Sequence, residues 1–159
     1  MRLISLLILS ISTHFIVPSE IFGYDFNKVE YIRNYDGDTL KVNIKGIHPL
    51  LGRNISIRLA DIDTAEIGGS KKCEQEMAKL AQSCVENLII GSDRVDIKNA
   101  QRGKYFRVVA DVYLEGFHLN TLLLKLGLAV HYSGGKRPDV DWCEMLVKAK
   151  RNRALNRCL

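Results

Sequence analysis

The chain has 159 residues, 47% of them apolar and 26% charged, which suits one compact domain able to bury about two thirds of its unfolded surface and leaves no room for a second catalytic domain. A formal charge of +5 at pH 7 favours acidic partners without naming one, since many proteins carry such a surplus and never meet nucleic acid. Repeats and low-complexity tracts are absent.

The first residues read as a processing signal. Met1 and Arg2 give a short basic start, Leu3 to Val17 is apolar apart from small polar residues and His14, and Pro18, Ser19 and Gly23 mark a cleavage region. The apolar stretch is shorter than the ~20 residues that span a bilayer, and no cysteine follows it as a lipoprotein would need. The expectation is a signal peptide over residues 1–23, a mature domain over 24–159, secretion or delivery to a periplasm, and no stable membrane association afterwards. Arg2 and Glu20 leave together, so the mature domain keeps the surplus charge.

From Lys28 onward the pattern is that of strands. Val29 to Ile32, Thr39 to Ile44 and Ile55 to Leu59 alternate apolar with polar residues, and Asp36-Gly37 and Gly46 to Gly52 supply the turns. Three antiparallel strands in a curled meander follow from this. Residues 71–90 switch to helical period, with Cys73, Met77, Leu80, Ala81, Cys84, Val85 and Leu88 on one stripe and Gly91 at the C-terminal cap. Two more strands are predicted over 94–98 and 106–114, turned by Glu115-Gly116. A short helix over 120–127 takes Asn120 as its cap and buries Leu122, Leu123 and Leu126. After Ser133-Gly134-Gly135, Asp139 or Asp141 caps a last helix that turns Trp142, Met145, Leu146 and Ala149 inward and Lys148, Lys150, Arg151 and Arg153 outward, the usual arrangement of a solvated face. Five strands with a helix between the third and fourth form an α+β, mainly β architecture: a five-stranded OB-fold Greek-key β-barrel with three packed helices.

Four cysteines in an exported chain suggest disulfides. Cys73 and Cys84 lie 11 residues apart on one predicted helix, roughly 16 Å at a rise of ~1.5 Å per residue, beyond the ~7 Å Cα limit for bridging. An unbroken last helix separates Cys143 from Cys158 in the same way. The two connectivities that join one helix to the other survive, with Cys73 to Cys143 favoured and buried free thiols as the alternative. Zinc is disfavoured, because neither a C-x-x-C pair nor clustered histidines accompany these cysteines.

Asp36 and Asp38 flank Gly37 at a strand entrance, and Asp61 and Asp63 end the third strand with Thr64 and Glu66 directly after. Singly, each is an ordinary turn or strand end. With Arg58 and Arg107 they make the set that phosphodiester cleavage needs: hard oxygen donors for a cation, a carboxylate for water, and bidentate donors for the equatorial oxygens. A carboxylate pair with a backbone carbonyl favours calcium or magnesium over zinc.

Asp36-Gly37-Asp38-Thr39, the run from Ile57 to Glu66, and Lys104-Tyr105-Phe106-Arg107 resemble, in order, the three active-site segments of the staphylococcal nuclease (thermonuclease) family. Val85-Glu86-Asn87 and Gly127-Leu128-Ala129 are similar too, and the likeness spans roughly residues 29–157. The resemblance implies calcium held by the carboxylates of Asp38 and Asp63 and the main-chain carbonyl of Thr64. It implies Glu66 on the attacking water, Arg58 and Arg107 on the scissile phosphate, and Lys104 and Tyr105 on a neighbouring terminal phosphate. The reaction implied is cleavage of the P–O5′ bond of DNA or RNA by a monomer, leaving 3′-phosphate ends. Tyr132 is a further candidate for nucleotide contact, with core packing as its ordinary reading. Ala65 stands in place of the family's usual proline, Phe106 in place of its glycine, and the loop from Ile67 to Lys72 is short. The alternative function is a non-catalytic OB-fold module that binds single strands.

Overall fold

The computed structural model describes residues 23–103 and 107–158. The leader, apart from Gly23, and Lys104, Tyr105 and Phe106 lie outside the described residues. In chain order the strands are β1 (Tyr24–Phe26), β2 (Glu30–Asn34), β3 (Thr39–Asn43), β4 (Ile55–Leu59), β5 (Ile62–Asp63), β6 (Val95–Arg102), β7 (Val108–Leu114), β8 (Phe117–His118) and β9 (Val130–His131). The helices are α1 (Pro49–Gly52), α2 (Lys72–Ile90), α3 (Leu119–Leu126) and α4 (Trp142–Arg151), and a 3-10 turn over Arg153–Arg157 follows.

Strict alternation builds the sheet. Leu40 and Val42 of β3, Ile57 and Leu59 of β4, and Ala110, Val112 and Leu114 of β7 all turn inward and are buried, each large aliphatic side chain contributing about 1.5–3 kcal/mol. The main sheet runs β1-β6-β7-β4-β3-β2, with β8 on β7, and β5 pairs separately with β9. All neighbours are antiparallel except β4 and β7, which run parallel with Ile57 opposite Val108 and Arg58 opposite Val109. The sheet curls enough that the amide of Val29 donates to Val95 O at 2.9 Å, although no continuous ladder joins its edges among the described residues. The result is a mixed, curled half-barrel with helices packed on it, α+β and mainly β, consistent with an OB-like layout.

The five long strands and the helix between the third and fourth stand where alternation and period placed them. Four short strands, β1, β5, β8 and β9, are additional, because two or three residues are too few to show a period. A one-turn helix, α1, likewise occupies the predicted Gly46–Gly52 turn.

Helix α2 buries Met77, Ala78, Ala81, Cys84, Val85 and Ile89, and Gly91 caps it in a right-handed rather than left-handed conformation, its amide bonded to Asn87 O. Gly127 closes α3 with φ 74°, the left-handed value that favours glycine. Asn120 is not the cap of α3. The cap is His118, without a side-chain bond, because the Asn120 amide is spent elsewhere: it donates to Ala60 O at 2.9 Å and accepts from Val112 N at 3.1 Å. Asp141 does cap α4, accepting from the amides of Cys143 and Glu144 at 3.0 Å.

Both disulfides tie α2 to the C-terminal segment. Cys73 bonds Cys143 and Cys84 bonds Cys158, with Cα separations of 5.1 and 4.7 Å. The last helix breaks at Asn152, and the following 3-10 turn brings Cys158 back onto α2.

Lys28 adopts φ 54°, a left-handed value that costs a non-glycine residue about 1–2 kcal/mol. Its amide donates to Asp96 Oδ1 at 2.7 Å, and Arg94 pairs with the same carboxylate at 2.8 Å. Burial pushes the Asp96 carboxyl up, but Arg94 and the Lys28 amide outweigh it and hold it below 3.8. A depressed carboxyl stabilises the fold above its unfolded pKa and loses that contribution as pH falls through the folded value. Asp96→Asn is therefore expected to cost about 1–2 kcal/mol at pH 7, with the deficit shrinking below pH 4. Urea unfolding of both proteins at pH 7 and pH 3 checks this, and an undiminished gap at pH 3 counts against it.

Candidate active site

The turn between β2 and β3 presents the first acidic pair. Asp36 Oδ1 accepts the Asp38 amide at 3.0 Å, a side-chain turn that fixes the backbone. A Cβ on Gly37 would lie 2.7 Å from Ala81 Cβ and 2.9 Å from Thr64 Cγ2, so only glycine lets the turn seat on α2 and on the strand end that carries Thr64. Asn34 reinforces the seat by donating to Asp36 O and Gln82 O, both at 2.9 Å. Burial raises the Asp36 carboxyl, opposed by Arg58 and Thr39.

Asp38 is 1% exposed. Its Oδ2 accepts the Thr64 amide at 2.9 Å and the Thr64 hydroxyl at 3.1 Å, which locks the two acidic segments together. Arg58, on β4, bridges them from the other side: its guanidinium pairs with Asp38 Oδ1, donates to Asp63 Oδ1 at 2.7 Å and to Ile62 O at 3.2 Å. One cationic group thus spans both carboxylates. Parallel pairing of β4 with β7 puts Arg58 beside Val109, and strand alternation gives Arg107 the same face. Arg58, Arg107 and Tyr132 line one cavity of about 460 Å³. Arg107 is exposed there, and the Tyr132 hydroxyl donates to Gly135 O at 2.8 Å.

Sequence reasoning missed Arg137. Its guanidinium donates to Asp63 Oδ1 at 3.1 Å and pairs with Glu66, so it joins the Glu66 carboxylate to that of Asp63. Burial works against the Arg137 charge, and the bond to Glu66 with the fields of Asp63 and Glu66 outweighs it, raising its pKa. Three constraints bring this loop in. The β5–β9 pair sets Asp63 opposite Val130, the Tyr132 amide donates to Asp61 O at 3.0 Å, and the Cys73–Cys143 bond ties down the start of α4. Gly134 and Gly135, at φ 96° and 88°, let the chain double back between them. The sequence signal was a basic pair directly after two glycines, in a loop flanked by a strand end and a helix cap.

Of the predicted residues, Asp38, Arg58, Asp63, Thr64 and Glu66 come together, with Arg107 across the adjoining cavity. Lys104 and Tyr105 lie outside the described residues. Asp61 is exposed, with φ 59° at the β4–β5 turn, and lines the same cavity as Arg58 and Arg107. Ala65 is buried, and the Gly69 amide bonds to Glu66 O at 3.0 Å, so the short loop after Glu66 is closed by its own backbone. The Lys148 and Lys150 side chains pair with Glu144 and Glu76, as a solvated face does.

The donor set suits a hard cation. Asp38 and Asp63 carry carboxylate oxygens close enough for one guanidinium to bridge, the hard-oxygen type that favours calcium or magnesium. Both Asp38 oxygens and Asp63 Oδ1 are held by Arg58, Thr64 and Arg137, so a cation there would have to displace the Arg58 guanidinium. Among the described residues no cluster of three or more His, Cys, Asp or Glu is placed to hold a metal, so water and substrate would have to complete a calcium shell. Every buried side-chain nitrogen and oxygen among the described residues has a partner.

A model of the staphylococcal nuclease homologue family matches residues 56–154, a stretch that includes Arg58, Asp63, Glu66, Arg107 and Arg137. An uncharacterized protein of Bacillus anthracis is 31% identical over 110 residues, 68% of this chain and 49% of that one. An uncharacterized 38.1 kDa protein of Capnoides sempervirens is 33% identical over 106 residues, 64% of this chain and 28% of that one. The chain thus spans about half and just over a quarter of these relatives' lengths. With more than half of its residues matched, and with the carboxylates and arginines of the site inside or beside that stretch, the chain belongs to the staphylococcal nuclease homologue family.

Proposed function

We propose that the chain is a calcium-dependent nuclease, secreted or periplasmic and monomeric, that hydrolyses the P–O5′ bond of DNA or RNA and leaves 3′-phosphate ends. The observation that carries this reading is the Arg58 guanidinium bridging Asp38 and Asp63, with Glu66 on one side and Arg107 on the other. A groove for binding alone gains nothing from buried carboxylates facing phosphate.

Asp38 and Asp63 through their carboxylates, and Thr64 through its main-chain oxygen, would hold calcium, whose chemistry there is to neutralise charge on the scissile phosphate. Glu66, held against Asp63 by Arg137, orients the attacking water and takes its proton. Arg58 and Arg107 face one cavity and donate to the equatorial oxygens as charge spreads over them, Arg107 nearer the leaving O5′. Both are forks that match phosphate geometry, which a lysine in either place does not. Lys104 and Tyr105 serve a neighbouring terminal phosphate. Arg137 is a positioning residue: it sets the half-exposed Glu66 carboxylate by a direct ion pair.

Glu66→Gln is expected to lower kcat by roughly 10²–10⁴-fold, and Arg58→Ala or Arg107→Ala by roughly 10²–10³-fold. Melting temperatures should be retained for Glu66→Gln and Arg107→Ala and lowered for Arg58→Ala, which leaves the buried Asp38 and Asp63 unpaired. Cleavage of a fluorescent single-stranded oligonucleotide measures all three; near wild-type rates throughout would sink the mechanism, and tight binding without cutting would mark a non-catalytic OB module. Arg137→Ala is expected to lower kcat by roughly a hundredfold, the cost of misplacing a catalytic group by about an ångström, while KM stays within a few-fold and Arg137→Lys recovers part of the loss. A KM rise with kcat preserved would make Arg137 a substrate contact instead. Calcium should raise the melting temperature of the wild type, as any ligand of the native state does, and should leave that of Asp63→Asn unmoved. EDTA should abolish cleavage, and rescue by zinc but not calcium would refute the hard-oxygen site.

A further inference from the structure

The turn joining β3 to β4 is a convex tip at the end of the hairpin away from the site. Asp38 and Leu59 mark the site end, and the pair Val42 and Ile55 stands roughly 13 Å further along at ~3.3 Å per residue. At the tip, Leu50 is 85% exposed, Leu51 69% and Ile47 39%. Scattered exposed aliphatics need no explanation, but three within five residues form a patch.

The tip is built, not loose. The Ile44 amide donates to Gly52 O at 2.7 Å, the amides of Leu51 and Gly52 to His48 O at 2.8 and 2.9 Å, and the Arg53 amide to Pro49 O at 3.1 Å. The Leu50 amide meets His48 Nδ1 at 3.3 Å, and the Asn54 amide meets Asn43 Oδ1 at 2.9 Å. The backbone of α1 is thereby fixed with both leucines turned to solvent, so their exposure serves no packing among the described residues.

Charge says what covers them. From Thr39 to Ala60 the sequence has no acidic residue, while Lys41, Lys45 and Arg53 surround the apolar tip. Lys45 and Arg53 are exposed, and Lys41 Nζ lies 3.3 Å from Asn54 O. The nearest acid by strand register is Glu30, opposite Asn43 at the base of the tip. Aliphatic side chains ringed by cations suit an anionic bilayer, where chains accept the leucines and headgroups accept the cations. Nucleic acid is a poorer fit, because leucine offers no flat face for a base to stack on.

We propose that this β3–β4 tip docks the protein reversibly on an anionic lipid surface. One small apolar patch and a few basic residues give weak, reversible attachment. The site, at the other end of the hairpin, stays open to substrate in water. The proposal does not depend on the nuclease reading.

Its test uses the full chain with Leu50→Trp and vesicles of phosphatidylglycerol with brominated acyl chains. Quenching of the new tryptophan reports contact at the tip itself, whatever the N-terminal segment does, and the wild type with its single Trp142 is the control. The expected result is quenching with the anionic vesicles and none with phosphatidylcholine brominated in the same way. The pair Leu50→Asp and Leu51→Asp should weaken vesicle binding at least tenfold with the melting temperature unchanged. Absence of quenching, equal quenching by both lipids, or a lipid-free emission change on adding single-stranded DNA would overturn the proposal. So would a dimer in lipid-free sedimentation that the aspartate pair dissolves, since a second copy would then cover the tip.

Discussion

Two carboxylates buried side by side repel each other, and each loses its water. Asp38 and Asp63 are 1% and 3% exposed, and what makes the pair tolerable is the Arg58 guanidinium set between them. Breaking a buried ionic arrangement of this kind by removing one partner costs about 3–5 kcal/mol, so the site and the fold are not independent. Much of the neighbouring structure serves to keep three charged groups within reach of one another: the glycine that seats Asp38 against Thr64, the parallel pairing that fixes β4, and the short β5–β9 ladder that holds Asp63.

Arg137 extends that constraint outward. Asp63 Oδ1 accepts from both Arg58 and Arg137, so a single carboxylate oxygen links the inner arginine to the loop that carries the outer one, and through it to Glu66. The loop's position depends on the disulfide from Cys73 to Cys143, because α4 is pinned where α2 begins, directly after the short turn that follows Glu66. The covalent staple and the charge network therefore meet at the same edge of the molecule. The second disulfide, from Cys84 to Cys158, holds the far end of the C-terminal segment on α2.

The hairpin of β3 and β4 joins the site to the exposed tip. Its site end presents Asp38 and Arg58, which are satisfied by each other and by Thr64. Its tip presents Leu50 and Leu51, which nothing among the described residues covers. A rigid hairpin transmits position between its ends, so whatever holds the tip also sets where the site faces.

Local pattern determined a good deal. Alternation located β2, β3, β4, β6 and β7, helical period located α2, and Asp141 and Gly127 marked the ends they were read to mark, because each of these signals is a property of a few adjacent residues. The residue types at positions 38, 58, 63, 64, 66 and 107 were legible for the same reason, as short motifs in a fixed order. Tertiary structure decided the rest. Asn120 looked like a cap and became a bridge between Ala60 and Val112, since a buried amide takes whichever partners surround it. Strands of two or three residues exist only because a neighbour pairs with them. Arg137 lies 71 residues beyond Glu66 in a loop with no period, and its place beside Asp63 follows from the β5–β9 ladder and a disulfide, long-range contacts that no local pattern encodes.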